Sequence, residues 1–80
     1  MARIDLTTIK KIEKDKAAVH QPVTATYSVF ENNGEKYIQI DTYGKNGRVM
    51  PEKISQSFQI DRGTALFLRD LLKNEFSLEE

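Results

Sequence analysis

The dipeptide Asn33-Gly34 lies between two runs of alternating apolar and polar residues, and it constrains the chain more than any other feature. Asn-Gly supplies the positive φ values that hairpin turns require, so the flanking runs are expected to pair antiparallel. In the first run, Val23 to Phe30, Val23, Ala25, Tyr27 and Val29 share one face and mostly hydroxyls occupy the other. In the second, Lys36 to Tyr43, Ile38, Ile40 and Thr42 form the core-facing row, while Tyr37, Gln39, Asp41 and Tyr43 face outward. Such β-branched and aromatic content suits a pleated surface with one side buried.

A third alternating run, Ile54 to Ile60, places Ile54, Phe58 and Ile60 inward together with a polar Gln56, and Ser55, Ser57 and Gln59 outward. It reads as a third antiparallel strand. Asp61 then has the chemistry of a helix N-cap, since its carboxylate can accept a backbone N–H from the first turn and suits the positive end of the helix dipole. The helix is expected from about Arg62 to Phe76. Stepping by about 100° per residue, Ala65, Leu68, Leu72 and Phe76 make one stripe, with Leu71 at its edge, that should cover the sheet. Leu66 and Phe67 fall outside it on opposite sides, which calls for a second apolar contact.

Residues 1–22 fit neither period cleanly. Ile4 and Leu6 alternate, whereas Leu6, Ile9 and Ile12 step by three behind Asp5. A short strand leading into a helical turn is the expectation, ended by the break at His20-Gln21-Pro22. The whole is read as one α+β domain: an antiparallel meander of three to four strands over 23–60, packed by one C-terminal amphipathic helix over 61–76.

Eighty residues without a cysteine have no disulfide to staple a small core. A homodimer using Leu66 and Phe67 is therefore the expected source of extra burial. The N-terminus lacks the apolar run of a signal peptide and no stretch is long enough to span a membrane, so the cytoplasm is the default compartment and no membrane partner is expected.

Catalysis has little material. His20 is the single histidine and sits close to a proline in a connection, with no visible acid or nucleophile partner, and Asp41 is a lone strand carboxylate. No phosphate loop, calcium-loop spacing or paired histidine ligands occur. The reading is a non-enzyme without cofactor or metal.

Formal net charge is zero, but the charges are unevenly placed. Lys45, Arg48, Lys53 and Arg62 outnumber Glu52 and Asp61 around the third strand, whereas the tail carries Glu75, Glu79 and Glu80. On the helix, Arg62, Arg69 and Lys73 fall within about 40° of one another. Cations framing Tyr37 and Tyr43 are what single-stranded nucleic acid needs: charges for its backbone and flat rings for its bases. The same residues also fit ordinary roles, with Arg69 and Lys73 stabilising the helix C-terminus and the tyrosines packing against strand neighbours.

The order "YIQIDTYG" at 37–44, the basic loop "KNGRVMPEK" at 45–53, and "ISQSFQID" at 54–61 running into an amphipathic helix resembles the single-stranded-DNA-binding domain of the transcriptional coactivator family called positive cofactor four. The resemblance spans Ala25 to Phe76. It implies a helix-mediated homodimer that binds unpaired nucleic acid on its strands and loops, with Tyr37, Tyr43, Lys45, Arg48 and Lys53 in comparable places. This chain departs from that pattern in having Gly63 and Thr64 where the family usually has an aromatic, and in carrying no net charge. The rival reading is a small protein-interaction module, a regulator or inhibitor acting through its sheet edge or its helix.

Overall fold

The computed structural model describes residues 1–44 and 53–78. Four strands and one helix follow in the order β1 (Ala2–Arg3), β2 (Ala25–Asn32), β3 (Glu35–Tyr43), β4 (Ile54–Ile60) and α1 (Arg62–Phe76). They build one sheet in the order β1-β4-β3-β2, with the helix following directly from β4, an α+β fold.

The meander expected from the alternating runs is present. β2 and β3 pair antiparallel from Ala25↔Thr42 to Asn32↔Glu35, and β3 and β4 pair antiparallel from Ile38↔Ile60 to Tyr43↔Ile54. The first hairpin is tighter than the sequence suggested, because the strands extend through Glu31 and Asn32. That leaves a turn of Asn33 at φ 54° and Gly34 at φ 79°, both left-handed. Two consecutive positive φ values are the type I′ geometry that matches the right-handed twist of paired strands.

The N-terminus supplies a short parallel edge instead of extending the meander. Ala2 and Arg3 lie opposite Phe58 and Gln59 of β4, and the Ile4 N–H donates to the Gln59 carbonyl at 3.0 Å. The expected helical turn is a single tight turn: Asp5 accepts from the Thr7 N–H at 3.0 Å, while its carbonyl accepts from Thr8 N–H at 3.0 Å. Leu6 then packs on the start of α1, with its Cδ2 only 3.0 Å from where a Cβ on Gly63 would sit. Only a residue without a side chain fits that approach unchanged.

Asp61 caps α1 as its chemistry demands, accepting from the Thr64 N–H at 2.9 Å. The helix ends at Ser77, which adopts φ 55° as the Leu78 N–H returns to the Lys73 carbonyl at 3.0 Å. Its inward face differs from the expected stripe. Thr64 is fully buried, Gly63, Ala65 and Leu68 are half-buried, and Leu72 and Phe76 stand exposed, Phe76 at 70%. The helix touches the sheet chiefly at β3 and covers little of it beyond its first two turns.

Consequently no apolar side chain among the described residues is buried. The nearest approach to a core is the half-buried set Ile38, Ile40, Phe58 and Ile60. On the same side of β2, Tyr27 is 74% exposed and Val29 52%. The radius of gyration is 14.8 Å, against roughly 12 Å for a compact domain of this length.

Candidate nucleic-acid interface

Strand register assigns the faces. Arg3 opposes Gln59, Gln59 opposes Gln39, and Gln39 opposes Ser28, so these residues share one side of the sheet across all four strands. The adjacent rows add Phe30 with Tyr37 and Thr26 with Asp41 and Ser57.

At one end of this face stands an aromatic pair. Phe30 and Tyr37 are cross-strand neighbours, their rings stacked with centroids 5.5 Å apart and planes 18° from parallel. β4 ends at Ile60, opposite Ile38, so Tyr37 has no β4 neighbour. Arg3 reaches into that gap from β1. Its guanidinium carbon lies 5.8 Å from the Tyr37 ring centroid, and its Nη1 is 3.4 Å from the Tyr37 hydroxyl. A guanidinium over a ring is attracted by the ring's negative face. Tyr37 also lines a concavity between the hairpin end and the helix start, together with Lys36, Ile38, Ile60, Arg62 and Ala65.

The middle of the face is a polar ladder. Gln59 Nε2 donates to Gln39 Oε1 at 2.9 Å, and Gln39 Nε2 donates to Asp41 Oδ1 at 2.9 Å. The Ser57 hydroxyl donates to the same Asp41 oxygen. These donors, Ser57 first and Gln39 second, hold the Asp41 carboxyl below the usual aspartate range despite partial desolvation. Asp41 is therefore a carboxylate at neutral pH.

At the far end, a bulge between Thr42 and Tyr43 shifts the β3/β4 register. The half-buried Tyr43 places its hydroxyl 3.1 Å from Thr26 Oγ1. Lys53, exposed, stands one residue before β4 at this same end.

The site residues expected from sequence thus fall into separate groups. Tyr37 and Arg62 line one concavity, whereas Tyr43 and Lys53 sit about 20 Å along β3 at the other end. Arg69 and Lys73 continue the Arg62 side of the helix and are exposed, with Arg69 Nε 3.2 Å from its neighbour Asp70. Lys45 and Arg48 lie outside the described residues. Leu66 and Phe67 are both partly exposed on the helix. His20 stays apart, beside Gln21, Val23 and Tyr43 in a shallow concavity. Among the described residues no cluster of His, Cys, Asp or Glu could hold a metal ion.

Sequence reasoning missed Arg3 and Phe30. Phe30 had a signal, as the one aromatic in a row otherwise of hydroxyls. Arg3 had none, because its position depends on parallel pairing with a strand late in the chain.

Compared with known proteins, the chain matches no family model, no curated protein and no solved structure.

Proposed function

We propose that this chain is a non-enzymatic, cytoplasmic nucleic-acid-binding protein that prefers single strands and acts as a homodimer. The observation that carries this reading is the Arg3–Tyr37–Phe30 cluster on an open sheet face, with Arg62 and Lys36 beside it. Unpaired bases stack on flat rings whatever their sequence, while nearby cations hold the phosphates. A duplex hides its base faces, so the same platform discriminates in favour of single strands. In this reading Tyr37, Phe30 and Tyr43 stack bases. Arg3, Lys45, Arg48, Lys53, Arg62, Arg69 and Lys73 contact phosphates. The arrangement agrees with the resemblance to the positive cofactor four family and with its place in transcription regulation.

The dimer is supported by surface area. A compact monomer of 9.2 kDa exposes about 4,900 Å², whereas this chain exposes 7311 Å². Part of the difference belongs to the irregular segment before β2. An excess of this order is compatible with an obligate dimer, in which each partner commonly buries on the order of 1,000–2,500 Å². Leu66, Phe67, Leu71, Leu72 and Phe76 are the partly exposed apolar residues that a second copy would cover.

A protein-interaction module is the second reading, favoured by the same apolar helix surface and by β2, an eight-residue strand at the sheet edge. Fluorescence anisotropy with labelled single- and double-stranded oligonucleotides, at low and physiological salt, separates the two. Salt-sensitive binding at micromolar or tighter affinity, stronger for single strands, is expected because counterions are released on binding. Absence of binding at low salt would overturn the nucleic-acid reading in favour of the second. Tyr37→Ala should weaken binding by about 1–3 kcal/mol, the usual cost of losing one base–ring stack.

A further inference from the structure

The ladder at the centre of the face is directional. Gln59 donates to Gln39, and both Gln39 and Ser57 donate to Asp41. Two of these bonds end on one carboxylate oxygen, Asp41 Oδ1, and the third orients the Gln39 amide that makes one of them. The second oxygen, Oδ2, accepts no side-chain hydrogen bond among the described residues, and Asp41 forms no ion pair there. A half-buried, anionic acceptor therefore lies between the Tyr37 and Tyr43 ends of the platform.

A bare carboxylate repels phosphate, so a nucleic-acid backbone crossing this face must keep to its cationic rims and turn its bases inward. The base edge laid against Asp41 must then offer a donor. Cytosine and adenine carry exocyclic amines and guanine carries an amine beside N1–H, whereas thymine and uracil present two carbonyl acceptors around a single N–H.

Resting on the nucleic-acid reading above, we infer that Asp41 Oδ2 accepts a hydrogen bond from the exocyclic amine of an unpaired base. The bond makes the protein prefer amine-bearing bases over thymine and uracil, with Gln39, Ser57 and Gln59 as positioning residues that fix the carboxylate. Gln39 and Ser57 lock Oδ1 directly and Gln59 holds Gln39, so the orientation of Oδ2 is set before the base arrives.

The test is competition anisotropy between cytosine and thymine homo-oligodeoxynucleotides of equal length, with the wild-type protein and with Asp41→Asn. Asparagine preserves the shape and can still accept from Gln39 and Ser57, but it presents an NH₂ where Oδ2 stood. Wild type should favour the cytosine oligomer by roughly tenfold, in the range of one discriminating base contact. Asp41→Asn should abolish or invert that ratio, while binding to both oligomers tightens as a negative charge is lost. A third oligomer built from 2-pyrimidinone, cytosine without its amine, should bind wild type about as weakly as the thymine oligomer. It keeps the inference falsifiable should the variant fold poorly. Equal wild-type affinity for the cytosine and 2-pyrimidinone oligomers, or a cytosine-to-thymine ratio unchanged in a folded Asp41→Asn, overturns this inference and leaves the nucleic-acid reading intact. Failure to bind any oligomer overturns both.

Discussion

The two sides of the sheet are finished to different degrees. On the polar side, side chains from all four strands meet partners within the chain: Arg3 on Tyr37, Tyr37 on Phe30, Gln59 on Gln39, Ser57 on Asp41, Tyr43 on Thr26. On the apolar side and along the helix, no large hydrophobic residue among the described ones is buried. Hydrogen bonds and turns organise the chain locally, yet their net contribution is modest and burial is the dominant favourable term in folding. Pairing and turns thus set the architecture within one chain, whereas its apolar side chains are left half-buried or exposed, which is the basis of the dimer proposed above.

The strongest way to break this contrast is to charge the helix. If the proposed dimer forms through the helix, Phe67→Asp combined with Leu71→Asp should abolish it and with it the native fold. Each lost burial costs about 1.5–3 kcal/mol, a large share of the 5–15 kcal/mol that domains usually possess. Sedimentation and circular dichroism read the outcome. Wild-type Tm should rise with protein concentration, as linkage to association requires. A stable, folded monomeric double variant would show that the polar side suffices.

A smaller effect is expected from the hairpin. Gly34 has open space around it but sits at φ 79°. Gly34→Val should therefore lose about 1–2 kcal/mol through backbone strain alone, as the left-handed region costs a β-carbon. Chemical denaturation measures it.

Weaker again is the acid dependence. The Asp61 carboxyl is held below its ordinary range chiefly by the Thr64 N–H, and that of Asp5 by Thr7. A depressed folded pKa means stability that is present above the unfolded value and lost as pH falls through the folded one. Tm should be level near neutral pH and decline below about pH 4. Asp61→Asn, which keeps a capping oxygen without the titration, should make the decline shallower.

The least effect is expected at Gly63. Gly→Ala within a helix gains about 1 kcal/mol, but Leu6 stands 3.0 Å from the added methyl. The two effects oppose, so Gly63→Ala should leave Tm nearly unchanged. Adding Leu6→Ala to that variant should uncover part of the helix gain.

Much of this fold was legible in the sequence because it is written in short-range chemistry. Asn33-Gly34 marked the hairpin, alternation marked the strands, and Asp61 marked the start of α1. The inward face of the helix was not legible. Counting apolar residues favoured Ala65, Leu68, Leu72 and Phe76, whereas docking of the first turn, with Leu6 against Gly63 and the helix on β3, buries Thr64 most deeply. The tyrosines and cations of the proposed interface could be named from spacing alone. Which of them meet could not, since that depends on register across strands and on a bulge at Thr42 and Tyr43.

The parallel pairing of β1 with β4 has a kinetic consequence. The β2–β3 hairpin closes through a two-residue turn, whereas Ala2 must find Phe58 across more than fifty intervening residues. We expect β1 to dock after the rate-limiting step, so that Arg3→Ala speeds unfolding and leaves the refolding rate unchanged in stopped-flow experiments. Slower refolding of that variant would place β1 in the nucleus. On this sequence of events the cation that completes the Tyr37 cluster is delivered last, onto a platform already assembled.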